Sequence, residues 1–225
     1  MLRGIHIKER QMYEIILFDL DGTLTDPGEG ITNSVAYALE KCGVPAPERS
    51  SLYKFIGPPL MDSFQRFYGF SEEQAKMAVS YYREYFREKG MLENQVYDGV
   101  EEMLKTLQNA GKRLLVATSK PEEFARQILT HFGLAQYFEY IAGATMDQTR
   151  NAKDAVIAYA LKTCHVTDVS RAVMVGDREY DILGAKRAGL PAIGVLFGYG
   201  SEEELRAAGA AALAGKVEDI CGLVM

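Results

Sequence analysis

The distribution of hydrophobic and polar positions divides the chain into two kinds of segment. Short apolar runs, each followed by polar or turn-forming residues, predict buried strands of a parallel sheet at 15–18, 114–117, 140–144, 172–175 and 191–196. From residue 98 onward, these runs alternate with segments whose apolar residues recur at helical spacing. This alternation of strands and helices predicts an α/β fold with a doubly wound parallel sheet and right-handed crossovers.

The segment from 31 to 97 differs, because it has helical periodicity and no strand-like run. Ser71-Glu72-Glu73-Gln74 is a capping box, which predicts a helix that continues through Lys89. We therefore predict an all-helical insert at residues 29–95, after the first strand. The rest of the chain, residues 1–28 and 96–225, is predicted to form the α/β core.

Polar side chains follow three of the predicted strands at the point where each strand ends. Asp19 and Asp21 follow the first strand, Thr118 and Ser119 the second, and Asp177 the fourth. Because parallel strands bring their carboxyl ends to one edge of a sheet, we expect these side chains to lie close together. Asp19 and Asp21 are separated by one residue on an extended chain, so their side chains should start on the same side.

The paired carboxylates indicate both a cation and a division of catalytic roles. Two acids this close repel each other unless a cation lies between them, which gives a reason for a metal ion. Asp19 with Asp177 offers oxygen ligands, and these favour Mg²⁺ over zinc. One carboxylate of the Asp19–Asp21 pair can attack while the other moves a proton. For Asp-x-Asp-Gly alone, the alternative is a turn that ends a strand.

An anion site is predicted beside the carboxylates. Thr118 and Ser119 precede a predicted helix, for which Pro121 suits the first position. A hydroxyl group with the free N–H groups of a helix N-terminus binds phosphate. Simple N-capping is the alternative. Lys153 opens another helix, where the helix dipole disfavours a cation by roughly 0.3–1 kcal/mol. A bound anion explains that placement, with a solvated lysine as the alternative. Together with Mg²⁺, these groups indicate phosphoryl transfer.

Composition narrows the class of protein further. The 225 residues are 48% hydrophobic, which is typical of a globular chain, and the formal net charge of −6 argues against a general nucleic-acid binder. The three cysteines have no metal-binding spacing and predict reduced thiols in a cytoplasmic protein. No apolar run is long enough to span a membrane. Residues 1–12 lack a signal-peptide core and are expected to be a loose tail or a short lead into the first strand. We expect a monomer or a weak homodimer.

Four motifs of this chain resemble those of the haloacid dehalogenase-like superfamily of phosphatases. They are Asp19-Leu20-Asp21-Gly22-Thr23, Thr118, Lys153, and Gly176-Asp177 with Asp181. The resemblance covers roughly residues 14 to 205, and within the superfamily it favours the phosphoglycolate-phosphatase and 5′-nucleotidase-like branch. It implies a Rossmann-like core and, for the insert at residues 29–95, the helical cap of the family's first type, C1.

The resemblance also implies a role for each motif residue. Asp19 would be the nucleophile that forms an aspartyl-phosphate, and Asp21 would be the general acid and base. Mg²⁺ would be held by Asp19, the backbone carbonyl of Asp21, and Asp177. The phosphate group would be bound by Asp19, Thr118, Ser119 and Lys153, of which Thr118 and Lys153 also belong to the catalytic set. The supporting positions would be Gly22, Gly176 and Asp181.

The expected substrate is a small phosphorylated metabolite selected by the cap. Gly57, in the loop 55–60 between two predicted helices, is the candidate position of a substrate loop, and Lys54 could reach a second anionic group. An ordinary interhelical loop and a solvated lysine are the alternatives. The third motif, Asn151-Ala152-Lys153-Asp154, lacks the prolines that follow the lysine in many phosphoglycolate phosphatases. Nucleotides and other phosphomonoesters therefore stay open as substrates.

Three other functions compete with that of a phosphatase. A sugar-phosphate mutase of the same superfamily would also keep Asp21, whereas dehalogenases and phosphonate-cleaving relatives lack an acid at that position. A phospho-receiver gathers similar side chains but is shorter and has no helical insert. A catalytically silent scaffold that binds phospho-ligands is the remaining class, and the intact set of acids with Thr118 and Lys153 argues against it.

Overall fold

The central sheet of the core has six parallel strands. The computed structural model describes residues 13–147 and 149–225, and within them the strands are, in chain order, β1 (Ile15–Phe18), β2 (Thr25–Asp26), β3 (Gln95–Val96), β4 (Arg113–Pro121), β5 (Tyr140–Ala144), β6 (Ala172–Gly176), β7 (Ala192–Val195) and β8 (Ala212–Ala214). The large sheet has the order β5-β4-β1-β6-β7-β8, and every neighbouring pair is parallel. This order confirms the predicted α/β sheet, with β1 near its centre.

Helices cover both faces of this sheet. In chain order, the α-helices of the described residues are α1 (Gly28–Lys41), α2 (Leu60–Tyr68), α3 (Glu72–Tyr85), α4 (Val100–Asn109), α5 (Glu122–His131), α6 (Lys153–Thr163), α7 (Glu179–Arg187), α8 (Glu202–Ala208) and α9 (Asp219–Val224). Ile16 and Phe18 belong to the apolar cluster that contains α4, α5 and α9, whereas Ile15 and Leu17 belong to the cluster that contains α6, α7 and α8. Burial of each such side chain contributes about 1.5–3 kcal/mol, so packing on both faces fixes the residues that follow β1.

The helical insert lies between the two short strands β2 and β3, which pair antiparallel. Besides α1, α2 and α3, it contains a 3₁₀ turn at Arg49–Phe55 and a π-helical turn at Phe86–Gly90. The predicted capping box is confirmed, because Ser71 Oγ accepts from the backbone N–H of Gln74 and Gln74 Oε1 accepts from that of Ser71. The boundaries 29–95 of a separate cap domain stay a prediction.

Two ends of the insert differ from the predicted pattern. The first helix begins at Gly28, three residues before the segment of helical periodicity, and the backbone N–H of Gly28 donates to Oδ1 of Asp26 at 2.9 Å. The helix predicted to continue through Lys89 changes to π-helical spacing at Phe86. The backbones of Gly30 and Gly90 pack together there, since a Cβ on Gly30 would lie 1.9 Å from the carbonyl oxygen of Gly90.

The end of β4 also differs from the prediction. The sequence pattern placed the strand end at Ala117 and the first helical position at Pro121, but β4 continues through Pro121, with a shift in register against β5 between these two residues. Pro121 has a ψ of 131°, which is extended, so α5 begins only at Glu122. Thr118 and Ser119 therefore lie on an irregular strand end and not in the first turn of a helix.

Two elements near the C-terminus have no counterpart in the predicted set. β8 is an edge strand of the large sheet, and α9 packs on α4 with Ile220 and Val224 buried. The run 207–214 contains only Ala, Gly and Leu. These residues lack the β-branched and aromatic side chains that favour a strand, so the pattern gave no signal there.

Three further expectations concern the chain as a whole. Cys42, Cys164 and Cys221 are free thiols, as predicted. Within residues 13–147 and 149–225, no helix combines the length and hydrophobicity needed to cross a bilayer. The tail predicted for residues 1–12 lies outside the described residues.

Candidate active site

Lys153 holds two aspartates at the carboxyl edge of the sheet. Its Nζ lies 2.9 Å from Oδ1 of Asp19, directly after β1, and 2.8 Å from Oδ1 of Asp181, in the first turn of α7. Nζ also donates to the carbonyl oxygen of Ala117 at 3.1 Å. All three charged side chains are buried. Burial alone would lower the pKa of Lys153, but the carboxylates of Asp181 and Asp19 outweigh it and raise that pKa, so the lysine stays charged.

Asp177, directly after β6, completes a group of three buried carboxylates. Ligand oxygens of Asp19, Asp177 and Asp181 lie within 4.8 Å of one another. Oδ2 of Asp177 accepts from the backbone N–H of Tyr199 at 2.8 Å, whereas Oδ1 has no hydrogen-bond partner among the described residues. Burial, with Asp181 and Asp19 adding to it, raises the pKa of Asp177 well above its usual range. A buried acidic group with a free oxygen fits a divalent cation that prefers oxygen ligands.

Asp181 contributes its side chain directly to this group, although the family resemblance implied only a supporting role for it. Burial raises the pKa of Asp181 to about 6 in spite of the opposing charge of Lys153. The side chain of Asp21 is not part of the cluster, and whether its backbone carbonyl binds a metal stays a prediction.

Two glycines let the carboxylates approach the backbone. A Cβ on Gly22, which has a φ of +79°, would lie 2.2 Å from Oδ2 of Asp177. A Cβ on Gly176 would lie 2.2 Å from Cγ of Asp181. Any larger residue at either position would displace the carboxylate that it faces, so both glycines support the acidic group.

Asp21 is paired with a cation that the sequence analysis missed. Nζ of Lys120 lies 2.8 Å from Oδ2 of Asp21, and only 5% of the lysine side chain is exposed. Oδ1 of Asp21 has no hydrogen-bond partner among the described residues. Burial raises the pKa of Asp21, while Lys120 opposes the shift without cancelling it. Asp21 therefore keeps a proton to a higher pH than an ordinary aspartate does.

Thr118 and Ser119 lie beside the carboxylates, although they do not cap a helix. Oγ1 of the buried Thr118 accepts from the backbone N–H of Lys120 at 3.2 Å. Both hydroxyl residues line the same cavity as Asp19 and Asp21. α5 starts at Glu122, one residue after the predicted start at Pro121. Neither Thr118 nor Ser119 caps it, and both line the cavity from the strand end.

The cavity separates the sheet edge from the helical insert. On the insert side its wall is largely apolar and aromatic, with contributions from Ile31, Phe55, Pro58, Leu60, Val79, Tyr82 and Phe86. Gly57 also lines the cavity, as expected of a substrate loop. Lys54 does not: it is exposed, and its Nζ lies 4.7 Å from the centre of the Phe67 ring. Instead, the insert contributes Arg83 of α3 to the cavity wall. The sequence pattern does not distinguish Arg83 from a solvated residue on a helix.

Two side chains next to the acidic group bind the helical insert and the short strand β2 that leads into it. Arg178, next to Asp177, donates through Nη1 to the carbonyl oxygen of Ile56, and its Nε lies 2.8 Å from Oε1 of Glu204. The hydroxyl of Tyr199 donates to Oδ1 of Asp26 in β2. Nothing in the spacing of Arg178 or Tyr199 signals these contacts, because they depend on how the insert docks on the sheet.

This chain is similar to known proteins over most of its length. The family model of haloacid dehalogenase-like hydrolases matches residues 16–195. A 5′-nucleotidase of Pseudomonas aeruginosa is 49% identical over 195 residues, which cover 87% of this chain and 88% of that protein. The tyrosine-protein kinase PtkA of Mycobacterium tuberculosis is 43% identical over 187 residues, which cover 83% of this chain but 63% of PtkA. The crystal structure of a predicted phosphatase from Clostridium acetobutylicum is 50% identical, with a TM-score of 0.91 and coverage of 94% of this chain and 97% of that one.

The chain belongs to the haloacid dehalogenase-like hydrolases and is a phosphatase of that family. Phosphatases of this family generally use a divalent metal, and the group formed by Asp19, Asp177 and Asp181 could bind one.

Proposed function

We propose that this protein is a Mg²⁺-dependent phosphatase that hydrolyses a small phosphomonoester, with Asp19 carrying the phosphoryl group between two steps. One observation carries the proposal. The buried carboxylate of Asp19 is fixed by Lys153 at the end of β1, and it lines the same cavity as a second, proton-retaining carboxylate, Asp21. A nucleophile next to an acid whose pKa is raised suits displacement followed by hydrolysis.

In the first step, a carboxylate oxygen of Asp19 attacks phosphorus and the bond to the leaving oxygen breaks. Oδ1 of Asp19 already accepts from the backbone N–H of Leu20 at 2.8 Å and from Lys153, so the carboxylate is held in one orientation. Asp19, Asp177 and Asp181, with the backbone carbonyl of Asp21, would hold Mg²⁺. Bound there, Mg²⁺ would offset the negative charge of the phosphoryl group. Lys153, Thr118 and Ser119 would bind its oxygens.

Asp21 moves the proton in both steps. Its Oδ2 is engaged by Lys120, so we assign the proton to Oδ1, which has no protein partner among the described residues. Oδ1 donates this proton to the leaving oxygen, and the resulting carboxylate then accepts a proton from the water that attacks phosphorus. The second attack breaks the bond between phosphorus and Asp19 and releases inorganic phosphate.

The helical segment 29–95 would act as the cap in this proposal. Gly57 and the apolar wall of the insert would face the leaving group, and closure of the segment on the sheet edge would exclude water from the phosphoryl group. The similarity to a 5′-nucleotidase makes nucleoside monophosphates the first substrates to test, with phosphoglycolate and sugar phosphates as the other small phosphomonoesters. A sugar-phosphate mutase stays the alternative, because it would use the same two aspartates.

The proposal is tested by assaying the purified protein against a panel of phosphomonoesters, first after treatment with EDTA and then with Mg²⁺ added back. We expect release of inorganic phosphate that requires the metal and is abolished by Asp19→Asn, an exchange that keeps the shape of the side chain. The exposed Asp62 of α2 provides a matched control, and Asp62→Asn should retain wild-type turnover. Isomerised sugar phosphate in place of free phosphate would establish the mutase, and metal-independent release would exclude the proposal.

A further inference from the structure

Arg83 is an unusual cation, because it lines the active-site cavity without an acidic partner. It lies on α3 and is half-buried. Its Nη2 donates a long hydrogen bond, of 3.3 Å, to the carbonyl oxygen of Met146. Among the described residues, no carboxylate lies within 4.0 Å of its guanidinium group. The other two cations at the site, Lys120 and Lys153, are each paired with an aspartate.

Arg83 directly follows Tyr82, and both residues line the cavity that also contains Asp21. Burial raises the pKa of the Tyr82 hydroxyl well above its usual range, the charge of Asp21 raises it further, and the charge of Arg83 opposes the shift. Arg83 and Asp21 thus act on the same hydroxyl group from within one cavity. Burial, followed by repulsion from Arg87, also lowers the pKa of Arg83, so this cation is partly desolvated without a neutralising charge.

The wall of the cavity near Arg83 is apolar. Val79, Tyr82 and Phe86 of the insert and Phe124 of α5 line it. A partly desolvated guanidinium beside such a wall is a site for a planar or tetrahedral anion, since guanidinium groups bind carboxylate and phosphate oxygens through two N–H groups. The phosphoryl group itself would be bound by Lys153, Thr118 and Ser119, which leaves Arg83 for the other end of the substrate.

We propose that Arg83 binds a second anionic group, carried by the leaving group of the substrate. The substrate class is then a phosphomonoester whose leaving group has an apolar body and ends in a carboxylate or a second phosphate. This inference rests on the proposed phosphatase activity, and it assigns to α3 the role that the sequence pattern gave to Lys54. Arg83 selects the substrate and takes no part in breaking the bond.

Two pairs of nearly isosteric phosphate esters test the inference. In each pair, one ester has a carboxylate on its leaving group and the other has an uncharged carboxamide. The pairs are 2-phosphoglycolate with its carboxamide, and 4-carboxyphenyl phosphate with 4-carbamoylphenyl phosphate. The wild-type protein should have a higher kcat/KM for the carboxylate in at least one pair. Arg83→Gln should lower kcat/KM for that carboxylate about 10- to 100-fold, mainly by raising KM. This is the fold-change that corresponds to the loss of one charge-assisted hydrogen bond. The same variant should change kcat/KM for the carboxamide by no more than about twofold. Arg83→Lys should restore part of the preference for the carboxylate over the carboxamide.

Arg87 provides the matched control, because it is exposed, lies one turn further along the chain and does not line the cavity. Arg87→Gln removes the same charge and should keep the wild-type preference. The inference is overturned if the wild-type protein has equal kcat/KM for the carboxylate and the carboxamide in both pairs. It is also overturned if Arg83→Gln lowers kcat/KM for both esters of a pair equally, or if Arg87→Gln has the same effect as Arg83→Gln. Failure of the wild-type protein to hydrolyse any of the four esters or the panel above would instead exclude the proposed function itself.

Discussion

Nζ of Lys120 lies 2.8 Å from Oδ2 of Asp21 and 4.5 Å from the centre of the Phe86 ring. One buried cation thus contacts the carboxylate of the β1 motif and an aromatic side chain of the helical insert. Lys120 lies on the irregular end of β4, where the register against β5 shifts between Ala117 and Pro121. We infer that Lys120 orients Asp21 when the insert is docked.

Loss of this pair should reduce both stability and turnover. Lys120→Met leaves Oδ2 of the buried Asp21 without its partner, which costs about 1–3 kcal/mol in the free energy of unfolding. The double variant Asp21→Asn/Lys120→Met removes both charges, so it should recover most of that loss while staying inactive. Urea denaturation and kcat for 4-nitrophenyl phosphate measure the two effects. Equal stability of Lys120→Met and the wild-type protein would show that the pair has no structural role.

The acidic group should make the metal-free protein less stable as pH rises. The folded-state pKa of Asp177 lies well above the unfolded value of about 3.9. Native protein therefore binds more protons than unfolded protein between these two values, and stability falls across that window. In EDTA, the melting temperature should drop between pH 5 and pH 7.5, and Asp177→Asn should reduce the drop.

Mg²⁺ should reverse this loss, because a ligand that binds only the folded state stabilises it. At pH 7.5, added Mg²⁺ should raise the melting temperature of the wild-type protein and leave that of Asp177→Asn unchanged. An equal rise in both proteins would place the metal elsewhere. Asp62→Asn, at an exposed position, serves as the control for removal of one negative charge.

Gly57 should be required for the docked position of the substrate loop. It has a φ of +104°, and a Cβ there would lie 3.0 Å from Cγ and 3.2 Å from Nη1 of Arg178, the atom that donates to Ile56. Gly57→Ala should therefore lower kcat/KM about tenfold, equivalent to about 1.4 kcal/mol, because it displaces the guanidinium group that joins the loop to the core.

Gly43 is the control that separates the loss of the contact between Gly57 and Arg178 from the strain of a positive φ. Its φ is +76°, and a Cβ there would meet nothing within 4 Å. Gly43→Ala has a comparable conformational cost, about 1–2 kcal/mol, but should keep wild-type kcat/KM. If both variants lose stability and neither loses activity, the contact between Gly57 and Arg178 does not affect the active site.

The sequence predicted those parts of the fold and site that depend on local pattern. The pattern shows the buried run before Asp19, the strand end at Asp177 and the position of Lys153 at the start of a helix, because parallel strands share one functional edge. β8 was not predicted and the predicted end of β4 was wrong, both for local reasons. An alanine-rich strand has no periodic signal, and Pro121 suits a helix start as well as a strand end.

The remaining site residues depend on packing between segments distant in sequence. Lys120 reaches Asp21 only through the register shift of β4, and Arg83 reaches the cavity only because the insert docks with α3 over the sheet edge. Lys54 was the more obvious cation, since it precedes the glycine–proline loop, but its side chain lies over Phe67 on the insert. Residue type and spacing cannot distinguish these cases.

The central claim is that Asp19 carries the phosphoryl group, and its most direct test is to trap that group. Asp21→Asn should be assayed with 4-nitrophenyl phosphate, because this leaving group departs without a proton while the variant cannot activate water. After acid quenching and digestion at low pH, mass spectrometry should find one phosphoryl group on the peptide that contains Asp19, together with a stoichiometric burst of nitrophenol. A phosphoryl group on another residue, or undiminished turnover by Asp19→Asn, would contradict the account.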